Sequence, residues 1–421
     1  MPISVNLATW GISALSVFGV IFRPLNKPEW VYALAGAVLL VVLGLLPWPE
    51  ALHGIASGTD VYLFLAGMML LAETARREGL FDFLAAYAAR SAKGSPQRLF
   101  GLVYLIGTLV TVFLSNDATA VVLTPAVYVA ARRARAEPLP LLFACALIAN
   151  AASFVLPISN PANLVLYGGT MPPLGQWFKS FALPSVASIV VTFLALRWVE
   201  RSRIAGTCAT GDSPDAGIAT LSPGGKAVLA GIVATAAILL VASARDVELG
   251  LPTAVAGIAT TLVVCALTRR SVVAVARDVS WSVLPLVAGL FVLIEALDHT
   301  GVIGRIADTL RTMSADPVQA AAVAGSTLAF GSNLINNLPA GLIASTAVAQ
   351  AHPPRIVVDA LLIGVDLGPN LSITGSLATI LWLQAIRREG EDVGFWQFLR
   401  IGIVTMIPAL IAALGTRLLI G

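Results

Sequence analysis

Charge is what this 421-residue chain has least of. Asp, Glu, Lys and Arg make up 12% of its positions, where a soluble domain usually carries about 25%. Cysteine is nearly as scarce. Cys145, Cys208 and Cys265 are far apart, form no CxxC pair and fall in two apolar runs and one polar linker, so neither a disulfide framework nor a metal cluster is supported. The net charge is only +3 and the basic residues form no patch, which gives no support for nucleic-acid binding. The apolar segments hold no nucleophile–base pair and no metal-ligand spacing. An enzyme is therefore disfavoured, and no cofactor is expected. No ten-residue alternation runs through the apolar stretches, which disfavours a β-barrel. The N-terminal segment lacks an early basic region and a small-residue cleavage site, so it reads as a first span rather than a removed signal peptide.

What the chain has is hydrophobic sequence, 57% of all positions. Runs such as Ala227 to Ala244, Leu249 to Thr268 and Ile401 to Thr416 carry no charge at all. Each is long enough to cross about 30 Å of hydrocarbon as a helix, the form that satisfies the backbone internally. Spans are expected at Leu7 to Phe22, Trp30 to Leu46 and Val61 to Ala75, with Pro47 to Asp60 as a loop. Arg23, Lys27 and the stretch Arg76, Arg77, Arg90, Lys93, Arg98 lie at one face. The positive-inside rule makes that face cytoplasmic and puts the N-terminus outside. Leu80 to Ala89 reads as a helix along the surface.

The next two stretches are too long for one crossing. Residues 99–131 carry basic groups at both ends and Ser115-Asn116-Asp117 inside, the pattern of a re-entrant hairpin. Residues 139–168 are interrupted at Pro157-Ile158-Ser159-Asn160-Pro161-Ala162-Asn163, where two prolines each remove a backbone donor, so a broken crossing is expected. Trp177 to Leu196 returns to Arg197, Arg201 and Arg203, and Gly206 to Gly225 is a polar linker.

The order then repeats. Lys226 to Ser243, Leu249 to Thr268 and Val283 to Leu297 are spans, and Ile303 to Met313 is a surface helix. Residues 318–349 form a second hairpin, broken at Gly331 to Pro339. Residues 356–386 form a second broken crossing, interrupted at Asp366-Leu367-Gly368-Pro369-Asn370, and Phe398 to Ile420 is the last span. Gly67, Glu73 and Gly79 match Gly289, Glu295 and Gly301 at a constant offset of 222 (289 − 67). The charge pattern gives the two copies opposite directions, the mark of an inverted-repeat transporter with its site near the midplane. The expected fold is an all-α polytopic membrane protein of two inverted repeats (1–205 and 226–421, joined by a cytoplasmic linker at 206–225). It has about ten transmembrane helices, two of them broken, plus two re-entrant hairpins.

Polar residues in the hydrocarbon zone are functional candidates by default. They gather at the breaks as Ser115/Asn116/Asp117/Thr119, Ser159/Asn160/Asn163, Asn333/Asn336/Asn337 and Asp366/Asn370/Ser372/Thr374. Broken helices free backbone donors and acceptors, and amides supply both. The expected substrate contacts are Asn116, Thr119, Asn160, Asn163, Asn336, Asn337, Asn370 and Thr374, around a small polyhydroxylated or oxyanionic solute. Asp117 and Asp366 are the carboxyls inside the break motifs. Each can carry a proton during transport, or act as a fixed ion partner or helix cap. Glu73 lies one turn from Arg76 and Arg77, so a local ion pair is expected there. Cys145 reads as a soft-metalloid ligand or as a small buried apolar residue. His53, His299 and His352 read as loop residues. Trp177, Trp281, Trp382 and Trp396 read as interface aromatics.

At these motifs the chain resembles the bacterial arsenite/antimonite efflux permeases of the wider ion-transporter superfamily. Three blocks carry the resemblance. The first is Ser115-Asn116-Asp117-Ala118-Thr119-Ala120 with Leu123-Thr124-Pro125. The second is Asn336-Asn337-Leu338-Pro339. The third is Asp366-Leu367-Gly368-Pro369-Asn370 with Thr374 to Thr379 and Leu381-Trp382-Leu383. The proline-rich break at Pro157 to Asn163 departs from the pattern of the best-known members. The resemblance implies a multi-pass protein of the bacterial inner membrane that exports trivalent arsenic and antimony. It implies proton drive, or pairing with a soluble ATPase subunit, and an elevator-like movement of the hairpin-bearing part. Arsenite is uncharged at neutral pH, which fits amides and hydroxyls. The alternatives are a sodium/proton antiporter or an organic-anion carrier on the same scaffold.

Overall fold

The computed structural model describes residues 3–168, 171–208 and 220–421; most of the polar linker lies outside these. The described residues form twenty α-helices and no strand. In chain order they are α1 (Ile3–Phe22), α2 (Glu29–Val42), α3 (Trp48–Ser57), α4 (Thr59–Arg77), α5 (Leu80–Ser91), α6 (Pro96–Phe113), α7 (Thr124–Arg133), α8 (Pro138–Ala151), α9 (Pro161–Tyr167) and α10 (Leu174–Val199). After the linker come α11 (Pro223–Ala244), α12 (Gly250–Thr268), α13 (Val272–Asp278), α14 (Val283–His299), α15 (Val302–Met313), α16 (Pro317–Ile335), α17 (Asn337–Ala351), α18 (Arg355–Leu367), α19 (Leu377–Arg388) and α20 (Phe395–Leu419). Seven of these are individually long and apolar enough to cross a membrane, and two bent pairs raise the number to nine. The protein is a multi-pass membrane protein.

Two short helices lie where none was expected. Pro47 to Asp60 contains α3, which meets α4 at 46°, and α13 meets α14 at the same angle. In α3 the prolines sit at the start, where a missing N–H costs nothing, with Glu50 in the first turn. In α13 Ser271 Oγ accepts from Ala274 N at 3.4 Å as an N-cap. His53 therefore lies within α3 and His299 closes α14, rather than sitting in loops; His352 is the C-cap of α17.

The helices pack in two groups, each drawing on both halves of the chain. In one, α4 lies on α12 and α14 on α2, with α1 against α2 and α11 against α12. These crossings are close because they run over glycine. A Cβ at Gly67 would meet the Thr253 backbone, and one at Gly289 would meet the Ala33 backbone at 2.8 Å. In the second group α6 packs on α8, α16 on α18 and α10 on α20. Gly79 (φ 74°) and Gly301 (φ 78°) start α5 and α15 in the left-handed region, where a side chain is strained.

Candidate functional site: four breaks around one cavity

Each hairpin tip is made by side chains that compete with the helical backbone for hydrogen bonds. At the first tip, Ser115 Oγ accepts from Ala118 N at 3.1 Å, and Asn116 Oδ1 accepts from Asp117 N at 2.9 Å. The chain then resumes as a π turn over Ala118–Leu123. At the second tip Asn336 takes φ 73°, accepts from Leu338 N at 3.3 Å and donates through Nδ2 to Thr374 O at 3.2 Å.

The two broken crossings are tied to each other. Asn160 caps α9 by accepting from Ala162 N at 3.0 Å, and donates to Asp366 Oδ1 at 2.8 Å. Asn150 donates to Asn370 Oδ1 at 3.0 Å and to Thr379 Oγ1 at 3.3 Å. Asn370 Nδ2 donates back to Leu147 O at 2.9 Å. Two indoles fix the same region. Trp177 Nε1 donates to Phe154 O and Val155 O at 3.2 Å each, and Trp382 Nε1 donates to Leu142 O at 2.9 Å. Both tryptophans are fully buried, so neither is an interface aromatic; their hydrogen bonds to broken or facing backbone explain the burial. Trp281 and Trp396 are exposed near helix ends.

The breaks meet at a cavity of about 20 Å³, room for roughly one water molecule. Its walls are Asn116 and Asp117 from the first tip, Asn160 and Pro161 from the first break, Asn337 and Leu338 from the second tip, and Leu377 and Ala378 from the start of α19. Leu65 of α4 and Val283 of α14 close it. No Lys, Arg or His is among these residues. The starts of α9, α17 and α19 border it and add partial positive charge, although Pro161 has no N–H and Ala162 N and Leu338 N are taken by the Asn160 and Asn336 caps. Among the described residues, Asn337 Oδ1 and Asp366 Oδ2 are buried with no hydrogen-bond partner.

Of the ten residues expected from sequence, Asn116, Asp117, Asn160 and Asn337 thus line one cavity, and Asp366 stands one hydrogen bond behind it. The other five are engaged in building the breaks. Thr119 Oγ1 pairs with Thr111 Oγ1 at 2.8 Å inside the first hairpin. Asn163 Nδ2 is spent on the carbonyls of Ser153, Leu156 and Pro157 at 2.9, 3.2 and 3.2 Å. Thr374 Oγ1 donates to Asn333 O at 2.9 Å, while Asn336 and Asn370 hold backbone as described. Cys145 is fully buried in α8 and lines neither this cavity nor the two described next.

A vestibule opens on each side, at opposite ends of α14. The larger, about 500 Å³, is lined by His53, Asp60, Asp246, Glu248, Glu295 and Asp298, with Leu164, Val165 and Leu342 one turn from the central cavity. The smaller, about 270 Å³, shares Val283 and Leu377 with that cavity and holds Glu29, Pro125, Gln384 and Arg388. Glu73 lies at the arginine-rich end, bound by Arg76 and Arg77 at 2.6 and 2.8 Å. Glu295 faces the acidic vestibule instead.

Sequence reasoning missed a buried ion network. Arg417 Nε and Nη2 donate to Asp359 Oδ2 at 2.9 and 2.7 Å, and Tyr167 O–H donates to Asp359 Oδ1. Asp359 is 0% and Arg417 3% exposed. Arg417 is a lone charge in an apolar run, and Asp359 follows Arg355, 3.8 Å from it, into another; charges in such runs are the signal that marks these residues. Asn150, in the run before the first break, was missed for want of a visible partner.

The pattern of the citrate transporter (CitMHS) family matches residues 17–367. The "Arsenical pump membrane protein" of Escherichia coli is 26% identical over 439 aligned positions, covering 98% of this chain and 99% of that protein. The "Uncharacterized transporter Rv2684" of Mycobacterium tuberculosis is 28% identical, with 91% of each covered. Among solved structures, the Alcanivorax borkumensis YdaH transporter, described as having an unusual topology, matches with TM-score 0.54 at 17% identity over 88% of this chain and 86% of that one. It supports the fold alone. With a family pattern spanning most of its length, the chain belongs to the citrate transporter family of the ion transporter superfamily.

Proposed function

We propose that the protein is a secondary active exporter of trivalent arsenic and antimony, working by exchange with protons. The observation that carries this reading is the central cavity. It is small, lined by amides and one carboxyl, and has no cationic side chain. The cavity as it stands admits about one water, so an uncharged trihydroxide enters only when the walls part; it then finds amide donors at Asn116 and Asn337 and an acceptor at the unpartnered Asn337 Oδ1. A polyanion stripped of water would have to be stabilised there without a lysine or arginine, at a cost of several kcal/mol or more. The acidic vestibule adds repulsion against polyanions and none against a neutral solute. The name of the Escherichia coli relative agrees with this substrate class.

Asp117, in the cavity wall, and Asp366, behind Asn160, are the proton carriers in this reading. In this reading the membrane is the bacterial inner membrane, and the positive-inside rule makes the arginine-rich face cytoplasmic and the acidic vestibule external. The movement is elevator-like. All three cavities lie on the seam between the α2–α4/α11–α14 group and the hairpin-bearing group. The two halves of the chain act as inverted repeats, since α1–α10 and α11–α20 run in one order with equal bends. A soluble ATPase subunit is an optional partner on the cytoplasmic side.

A second reading has support of its own. Three helix starts around one cavity form an anion-friendly arrangement, and the family is named for citrate. Everted vesicles separate the two. Arsenite uptake that needs a proton gradient and is lost in Asp117→Asn is the expected result. Citrate uptake, or sodium-dependent proton movement, without arsenite transport overturns the proposal.

A further inference from the structure

We propose that the rim of the acidic vestibule is a divalent transition-metal site formed by Glu50, Glu295 and His299. Glu295 and His299 are four residues apart on α14 and share one face; Glu50 reaches them from α3. One oxygen of each carboxylate and one ring nitrogen of His299 lie within 4.8 Å of one another. His299 Nε2 contacts Glu50 Oε2 and stands 3.8 Å from Glu295 Oε1. Gly54 makes the approach possible, because a Cβ there would already lie 3.3 Å from Glu295 Cβ.

Two carboxylates and an imidazole, with an open side toward solvent, form a three-ligand set that leaves a coordination position free. One nitrogen among oxygens favours Zn²⁺ and its neighbours over Mg²⁺ or Ca²⁺. The surroundings concentrate cations. Asp60, Asp246, Glu248 and Asp298 line the same vestibule, and no Lys or Arg does. Within the triad itself, Glu50 Oε2 is buried and has no hydrogen-bond donor among the described residues. The three ligands belong to α3 and α14, which pack together and do not include a hairpin. A bound ion pins this pair and weakens the field at the mouth of the vestibule. None of this depends on which solute the central cavity carries.

The test is a calorimetric titration of the purified full-length chain in detergent with Zn²⁺, and with Mg²⁺ for comparison. One saturable Zn²⁺ site per chain is expected, weakened roughly tenfold or more in His299→Ala, Glu295→Gln and Glu50→Gln. Size-exclusion chromatography of each variant identifies any that misfolds, and the remaining variants carry the result. Absence of saturable Zn²⁺ binding by the unmodified chain overturns the proposal. So do folded variants that bind as the unmodified chain does, or equal affinity for Mg²⁺.

Discussion

The tip between α6 and α7 takes the chain through Leu114 to Asp117 and a π turn before regular helix resumes, whereas the tip between α16 and α17 turns at Asn336 alone. The helices behind them differ in the same sense. In the second half, Gly364 and Gly368 of the α18 crossing let its backbone rest on that of α16, so that a Cβ at either would meet Gly325 or Ala329 main chain. In the first half, Gly107 of α6 faces side chains and no backbone: a Cβ there would meet Ile148 at 2.8 Å, with Thr119 and Leu123 at ordinary contact distance. The outer helices differ in chemistry as well. Asp359 is the fifth residue of α18 and Arg417 the twenty-third of α20; the residues so counted in α8 and α10 are Leu142 and Leu196, both fully buried. One half is therefore packed backbone to backbone and pinned by an ion pair. The other is looser, apolar at the matching places, and carries the carboxyl that reaches the cavity.

The strongest test of that contrast is at the ion pair. Arg417→Leu alone leaves Asp359 buried without its main partner and is expected to cost about 3–5 kcal/mol, read as loss of folded protein in detergent. Asp359→Leu combined with Arg417→Leu copies the first half and should recover most of that loss, because a well-packed apolar pair replaces a desolvated ionic one. If the double variant is as unstable as the single, the halves are not interchangeable at this point. Next in size are the glycines. Gly368→Ala forces two backbones apart and should cost about 1–3 kcal/mol, while Gly107→Ala, which only displaces a side-chain methyl, should cost under about 1 kcal/mol; thermal melting ranks them. The tips fall between the two glycines. Asn336→Ala loses both a cap and a residue tolerant of positive φ, about 1–2 kcal/mol, and Asn336→Gly should restore half or more of it. Ser115→Ala loses only a cap, about 1 kcal/mol.

Much of this was readable in advance. Charge-free runs located the spans, and runs too long for one crossing located the hairpins and breaks, because hydrocarbon thickness limits helix length. Asn116, Asp117, Asn160 and Asn337 could be picked as polar groups at breaks. Their separation from Thr119, Asn163, Asn336, Asn370 and Thr374 could not, since lining a cavity and capping a strand of free backbone need the same side chains. The Asp359–Arg417 pair, 58 residues apart, follows from the crossing of α18 and α20, which no periodicity encodes. Trp177 and Trp382 sit near the ends of the expected spans, where a buried indole and an interfacial one look alike. The helices α3 and α13 were lost because Pro49 and Ser271, which start them, also mark turns.

Among the described residues, the central cavity has room for about one water between two far larger vestibules, a constriction too narrow for a continuous column of bulk water. Proton hopping through water needs such continuity. A proton passing this constriction without any movement of the walls would therefore have to be handed on by a side chain, and Asp117 is the carboxyl that stands in the wall.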